Sequence, residues 1–98
     1  MTQKTEILKK LRKSKPELSG FGVIRIGLFG SVLRNESEND SDVDILIDFN
    51  PEQETYQNYM NTCNFLESMF AGSKLDIVTE KGLSPFIGPY ILKEVEYA

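Results

Sequence analysis

The sequence predicts an α+β fold, in which a small mixed or antiparallel sheet of three or four strands has helices packed on one face. Short apolar runs bounded by turn residues indicate the strands, and the clearest of them alternates in residue type. Between and around these runs, apolar residues recur at helical spacing. A chain of 98 residues is expected to form one domain over residues 1–98.

The first half of the chain predicts a helix and two strands. Residues 3–14 carry apolar side chains at helical spacing, with basic residues at the C-terminal end, where they suit the helix dipole. Residues 22–29 predict the first strand, and one or two helical turns are expected after Gly30-Ser31. Residues 43–49 predict the second strand, because their side chains alternate between apolar and largely acidic.

The second half predicts a helix, a strand and a final helix. Asn50 caps helices well and Pro51 suits a first helical position, so a helix is expected to begin here and to run through residue 70. Residues 75–79 predict a third strand, and the tail over 90–97 is expected to be helical. Strands and helices in this order favour a sheet covered by helices on one face.

Composition and charge exclude several classes of function. The net charge is −4, and this acidic balance argues against broad binding to a nucleic-acid backbone. The absence of histidine excludes a histidine base and a histidine–zinc site. No apolar run approaches the roughly 20 residues of a membrane span. Cys63, the single cysteine, excludes an internal disulfide, so we expect a cytoplasmic protein without a membrane partner.

A Gly-Ser turn and two spaced aspartates are the most informative features of the sequence. Gly30-Ser31 follows an apolar strand, and small residues at such a turn suit a phosphate chain. Asp42 and Asp44 open the next strand and share one of its faces, about 6.6 Å apart along the strand. Carboxylates at this spacing can bridge divalent metal ions such as Mg²⁺.

Asp76 is predicted to be the third carboxylate of this site. It stands in the apolar run 75–78, where an ionised side chain is costly unless it is paired or bound to metal. The alternative is that Asp76 ends a strand and pairs with Lys74 or Lys81. Asp48 shares the face of the aspartate pair but lies about 13 Å further along the strand, so it is predicted to be solvated at the strand end.

Each feature alone has an ordinary structural explanation. An Asp-x-Asp sequence commonly caps or solvates a loop, and a Gly-Ser pair commonly forms a plain turn. Their order along the chain, however, favours the functional interpretation. The Gly-Ser turn, Arg34 and the Asp-x-Asp strand together resemble the signature of the polymerase-beta nucleotidyltransferase superfamily.

More closely, the chain resembles the minimal nucleotidyltransferases, small domains encoded beside HEPN-type partners in prokaryotic toxin–antitoxin pairs. The resemblance runs from Ile24 to the C-terminal tail. It implies a polymerase-beta-like nucleotidyltransferase fold, in one nucleotidyltransferase domain. Asn35-Glu36 departs from the family pattern, which often has glycine after the arginine.

The resemblance implies a metal-binding role for the three aspartates. Asp42 and Asp44 would hold two Mg²⁺ ions. Asp76 would hold the catalytic ion and help to remove a proton from the attacking hydroxyl.

The resemblance also implies which residues bind the nucleotide. The backbone and hydroxyl at Gly30 and Ser31 would hold the β and γ phosphates of ATP or another nucleoside triphosphate. Arg34 would be a nearby charge partner of those phosphates. A salt bridge from Arg34 to Glu36 or Glu38 is the alternative.

The implied reaction transfers a nucleoside monophosphate, AMP in the first instance, to a hydroxyl of a partner protein. For the toxin–antitoxin branch, this partner is a HEPN toxin that modification silences. The chain is too short for an additional acceptor-binding domain, so a second protein is expected to bring the acceptor. Two alternatives remain open: neutralisation of the partner by binding alone, and transfer to a hydroxyl of a small molecule.

Overall fold

The order of helices and strands in the computed structural model, which describes residues 3–34 and 42–98, follows the predicted order with two additions. The elements, in chain order, are α1 (Gln3–Lys13), α2 (Lys15–Gly20), β1 (Val23–Phe29), α3 (Gly30–Leu33), β2 (Val43–Phe49), a 3₁₀ turn (Pro51–Gln53), α4 (Tyr56–Met69), β3 (Leu75–Thr79), α5 (Gly88–Glu94) and β4 (Glu96–Tyr97). In the described part of the chain, no helix has the length and apolar character to cross a membrane.

Within these residues, the strands form one sheet in the order β3-β2-β1-β4. Strand β1 runs antiparallel to β2 and to β4, whereas β2 runs parallel to β3. A parallel pair requires a crossover connection, which α4 supplies here. The predicted α+β class with a small mixed sheet is therefore confirmed.

One face of the sheet forms the core of the protein. Its side chains are buried beneath apolar residues of the helices, with α1 and α2 against β1. Burial of each such side chain stabilises the fold by about 1.5–3 kcal/mol. The strand residues of this core are Ile26, Leu28, Val43, Ile45 and Ile47, and the helix residues include Ile7, Leu8, Leu11, Leu18 and Leu66.

The opposite face carries the acidic residues of β2, and the C-terminal segment covers its middle. A methyl group placed on Gly27 would come within 2.6 Å of Val95 Cγ2, so the glycine makes room for this segment. Leu46, which pairs with Gly27 across the sheet, is fully buried. Asp44 and Asp48, on either side of Leu46, are only half-buried. This face therefore has two polar ends separated by an apolar middle.

The prediction that a long helix begins at Asn50 is wrong. The Asn50 side chain does accept a hydrogen bond from the Glu52 amide, at 3.1 Å, but it starts only a 3₁₀ turn. The backbone then becomes extended at Thr55, whose hydroxyl accepts a hydrogen bond from the Asn58 amide and caps α4. Asn50 therefore caps only the 3₁₀ turn, and α4 begins after a second capping residue, Thr55.

Helix α2 and strand β4 were not predicted. The first helix ends at Lys13, and Pro16 then lies in the first turn of α2, where its missing N–H group is tolerated. In the C-terminal tail, which was expected to be helical over 90–97, the helix ends at Glu94. Glu96 and Tyr97 instead pair with β1, because the sheet edge offers hydrogen-bonding groups that local sequence does not reveal.

Candidate active site

Asp44 and Asp76 lie opposite one another at one end of the acidic face. The parallel register of β2 and β3 pairs these two residues, and Phe29 of β1 pairs with Asp44 on its other side. The carboxyl groups of Asp44 and Asp76 are within hydrogen-bonding reach, and Asp42 is close enough to act on Asp44 through its charge. The structure thus brings the three predicted carboxylates to one end of the sheet.

Asp44 resists ionisation in this position. Burial and the neighbouring charges of Asp76 and Asp42, together with a hydrogen bond to Asp76, raise the pKa of Asp44 from 3.8 to about 6. The positive charge of Arg34 acts in the opposite direction and lowers this pKa. A carboxyl group whose ionisation is opposed by burial and by like charges is stabilised in its charged form when a cation binds beside it.

The carboxylates have the right chemistry for a divalent cation but are not gathered around one point. Among residues 3–34 and 42–98, no three acidic or cysteine side chains are already placed to hold a metal ion together. Asp42 instead lies 3.9 Å from the Lys74 ammonium, and its side chain is 41% exposed. An exposed pair of this kind contributes little to stability, so it opposes a change of partner by Asp42 only weakly.

Asp76 is exposed, contrary to the prediction drawn from its apolar neighbours. Strand β3 lies at the edge of the sheet, and even Leu75 and Ile77 are only half-buried. An ionised side chain at this edge stays in contact with water, so its presence there is not costly. The structural feature that distinguishes Asp76 is its register with Asp44.

The Gly30 turn lies directly against Asp44. Gly30 has a φ of 79°, a left-handed conformation that favours glycine, and a Cβ atom there would stand 2.8 Å from the Asp44 carboxyl carbon. Ser31 is half-buried in α3, and Arg34 follows the end of this helix. The turn predicted to bind phosphate is therefore adjacent to the carboxylates predicted to bind metal.

Glu94 joins this turn to Arg34, and sequence reasoning missed it. The Gly30 amide donates a hydrogen bond to Glu94 Oε2 at 3.2 Å, and Arg34 Nη1 forms an ion pair with Glu94 Oε1. Glu36 and Glu38, the alternative partners suggested for Arg34 by the sequence, lie outside the described residues. Glu94 could have been identified only from the pairing of β4 with β1, and this segment of the chain was expected to be helical.

Asp48 is separated from this site, as predicted, but is paired rather than simply solvated. Arg25 Nη2 lies 3.0 Å from Asp48 Oδ2 and 2.9 Å from Glu80 Oε2. The Arg25 guanidinium also lies 4.9 Å from the centre of the Tyr97 ring. Asp48 therefore belongs to an ion-pair network at the other end of the acidic face.

Sequence comparison gives strong matches along nearly the whole chain. A family model described as nucleotidyltransferase domain matches residues 6–98. Protein adenylyltransferase MntA from Thermococcus cleftensis is 40% identical over 93 residues, which cover 94% of this chain and 92% of that protein. A candidate protein adenylyltransferase from Methanocaldococcus jannaschii is 34% identical over 94 residues, with 94% and 90% covered.

Structural comparison agrees with the sequence matches. The solved structure of a candidate minimal nucleotidyltransferase superposes with a TM-score of 0.79 at 30% identity, over 98% of this chain and 95% of that one. A crystal structure of a mutant MntA–HpeT toxin–antitoxin pair gives a TM-score of 0.62 at 19% identity, over 97% and 70% of the two chains. The second likeness concerns the fold alone.

Proposed function

Because the chain belongs to the nucleotidyltransferase domain family, we propose that it transfers AMP from ATP to a hydroxyl group of a partner protein, with Mg²⁺ as cofactor. The partner we propose is a HEPN-type toxin, which the modification would silence, so that this chain is the antitoxin of the pair. A relative that is 40% identical is named a protein adenylyltransferase. The proposed compartment is the cytoplasm, where the free, buried Cys63 thiol stays reduced.

The pairing of Asp44 with Asp76 is the observation that carries this proposal. Two carboxylates from adjacent strands stand in register, and the pKa of Asp44 is raised to about 6 by burial and by the charges of Asp76 and Asp42. Such a concentration of negative charge is typical of a site that binds a cation. Asp42, Asp44 and Asp76 would hold two Mg²⁺ ions, which when bound would neutralise charge on the triphosphate.

The other residues of the site would bind and orient the substrate. The Gly30 and Ser31 turn and the Arg34 guanidinium would contact the β and γ phosphates. Asp76 would accept the proton of the acceptor hydroxyl. The acceptor oxygen would form a bond to the α-phosphorus while the bond from this phosphorus to the β-phosphate oxygen breaks, and pyrophosphate would leave.

The exposure of the site supports a protein as the acceptor. Asp76 lies at the open edge of the sheet, where a hydroxyl carried by a large molecule can approach it. Phe86, Ile87 and Tyr90, around the start of α5, are 82%, 57% and 75% exposed. Clustered exposed apolar side chains are typical of protein-binding surfaces.

The proposal is tested with ATP labelled at the α-phosphate, Mg²⁺ and the purified product of the neighbouring gene. We expect label to appear on the partner, to require Mg²⁺, and to be lost when Asp42 and Asp44 are both replaced by asparagine. Label that stays off the partner, or that transfers equally well with the double variant, would contradict the proposal. A labelled product of low molecular mass would indicate a small-molecule acceptor instead.

Neutralisation by binding alone is the second candidate function, and the exposed apolar side chains around α5 favour it equally. Growth of cells that express the toxin together with the Asp42→Asn/Asp44→Asn variant separates the two functions. Rescue of growth by this variant would establish binding alone. Loss of rescue, with the complex still forming on a sizing column, is the outcome expected of an enzyme.

A further inference from the structure

We propose that Glu94 is a positioning residue, which fixes Arg34 and the Gly30 turn in the arrangement that binds the triphosphate. This inference rests on the proposed function in one respect, that the site binds a nucleoside triphosphate. It concerns the last residue of α5, which no sequence motif in the chain marks as part of the site.

The contacts of Glu94 bridge the two groups assigned to phosphate binding. One carboxylate oxygen accepts the Gly30 N–H at 3.2 Å, and the other pairs with Arg34 Nη1. A half-exposed arginine otherwise samples many rotamers, and ordering its side chain costs free energy. Because one carboxylate holds both groups, the guanidinium is fixed relative to the backbone amide of the turn.

The position of Glu94 is set by the sheet. Strand β4 pairs with β1 through Tyr97 opposite Gly27 and Glu96 opposite Leu28. Glu94, the last residue of α5, precedes the paired Glu96 by two residues, and Gly30 follows the paired Leu28 by two. The antiparallel pairing therefore brings the end of α5 beside the Gly30 turn, where the Glu94 side chain accepts the Gly30 N–H.

The bridge also places Arg34 beside the predicted metal ligands. Arg34 is near enough to Asp44 for its charge to lower the pKa of that carboxyl. The guanidinium thus pairs with Glu94 and is also within electrostatic range of Asp44, so it can act on a phosphate group bound near the aspartates. A guanidinium has five N–H donors, so the ion pair with Glu94 does not exhaust its capacity to bind phosphate.

The inference is tested by calorimetric titration with Mg²⁺ and a nonhydrolysable ATP analogue, which needs neither a partner protein nor turnover. We expect Glu94→Ala to raise the dissociation constant of the analogue about tenfold, the loss of one charge-assisted contact. Glu94→Gln should raise it about threefold, since the amide oxygen still accepts the Gly30 N–H but no longer carries charge. Glu96→Gln is the matched control. Glu96 lies on the same segment and pairs with Lys4 at 3.6 Å, away from the turn, so this variant should bind like the unchanged protein.

A double variant separates positioning from general stabilisation. Because Glu94 acts in part through Arg34, the loss of binding in Arg34→Ala/Glu94→Ala should be smaller than the sum of the losses in the two single variants, since effects on one shared contact are not additive. Thermal unfolding of each variant checks that the fold is retained. Additive losses, or a loss that follows the fall in thermal stability, would overturn the inference.

Three further outcomes keep this inference distinct from the proposed function. Binding of the analogue by Glu94→Ala that equals or exceeds that of the unchanged protein would show that the carboxylate is not needed, and would overturn the inference. Failure of the unchanged protein to bind the analogue would contradict the proposed function and the inference together. A partner that stays unlabelled while the Glu94 variants lose analogue binding would contradict only the proposed acceptor and would support the inference.

Discussion

Asp44 and Asp48 lie on the same face of the same strand, but the charges around them differ. Across the sheet from Asp48, the paired residue on β1 is Arg25, whose guanidinium lies 3.0 Å from the Asp48 carboxylate. Asp44 is paired with Phe29 on β1 and with Asp76 on β3. One carboxylate therefore has a cation beside it in the sheet, whereas the other has a second carboxylate.

The two aspartates differ in whether an opposite charge lies beside them in the sheet. Hydrogen bonding to Asp48, together with the charges of Tyr97, Glu80 and Asp48, raises the pKa of Arg25, so this pair is mutually stabilised. At the other end, burial and like charges raise the pKa of Asp44 to about 6, so its ionised form is less favourable than that of an ordinary aspartate. The charge at the Arg25 end is compensated within the protein, whereas at the Asp44 end it is compensated less, which is why we propose that a cation binds there.

The largest effect expected from this difference concerns β3. Asp76→Asn should lower kcat for AMP transfer by about 10²–10⁴-fold, the range associated with loss of a general base. Glu80→Gln changes a carboxylate on the same side of the molecule that is paired with Arg25, and it should leave kcat within a few-fold. Initial rates with labelled ATP and the partner protein measure both. Equal losses for the two variants would show that the two ends do not differ in function.

A second prediction concerns stability without metal. The pKa of Asp44 rises from 3.8 to about 6 in the folded protein, so ionisation penalises the folded state and stability falls as the pH rises from 4 to 6. Asp44→Asn removes this penalty. It should raise the free energy of unfolding at pH 7.5 by about 1–2 kcal/mol, less than the full value of two pKa units because water screens the site.

Urea unfolding in the presence of a chelator measures this effect at several pH values. At pH 3.5 most of the gain from Asp44→Asn should disappear, because the carboxyl is then mostly protonated in both the folded and unfolded states. Asp48→Asn is the matched variant, and it should lower stability at pH 7.5 because Arg25 loses its partner. A gain for both variants would contradict the difference between the two ends.

The smallest effect is expected at Arg25. Arg25→Gln should lower the free energy of unfolding by about 1 kcal/mol, since it removes two partly exposed ion pairs and a contact with the Tyr97 ring. The difference should shrink in 1 M salt, which screens the pairs (Debye length about 3 Å). Arg12→Gln, on the exposed side of α1, is the control. Loss of nucleotide binding in Arg25→Gln would contradict the assignment of this end to the fold.

The sheet could be predicted from the sequence because strand signals are local. Apolar runs predicted strands over 22–29 and 75–79, and alternation predicted one over 43–49; the structure has Val23–Phe29, Leu75–Thr79 and Val43–Phe49. The same alternation placed the aspartates of β2 on one face, and distance along the strand separated Asp48 from the other two. These inferences need only the pleat of a single strand.

What could not be predicted depends on contacts between distant segments. The apolar neighbours of Asp76 indicated burial, but whether a strand lies at the edge of a sheet is decided by its pairing with other strands. Glu94 was missed for the same reason, because its contact with Gly30 follows from the register of β4 against β1. The two-residue strand β4 itself is too short to show a period of its own.

The parallel pairing of β2 with β3 has a consequence for folding kinetics. The 3₁₀ turn and all of α4 lie between Asp44 and Asp76 in the sequence, so the chain must close this crossover before the two carboxylates meet. Contacts between distant segments carry a large loop-closure entropy and form late in folding. We therefore expect the two carboxylates to come together only after this crossover has closed. A cation that binds only the completed pair would slow unfolding without accelerating folding.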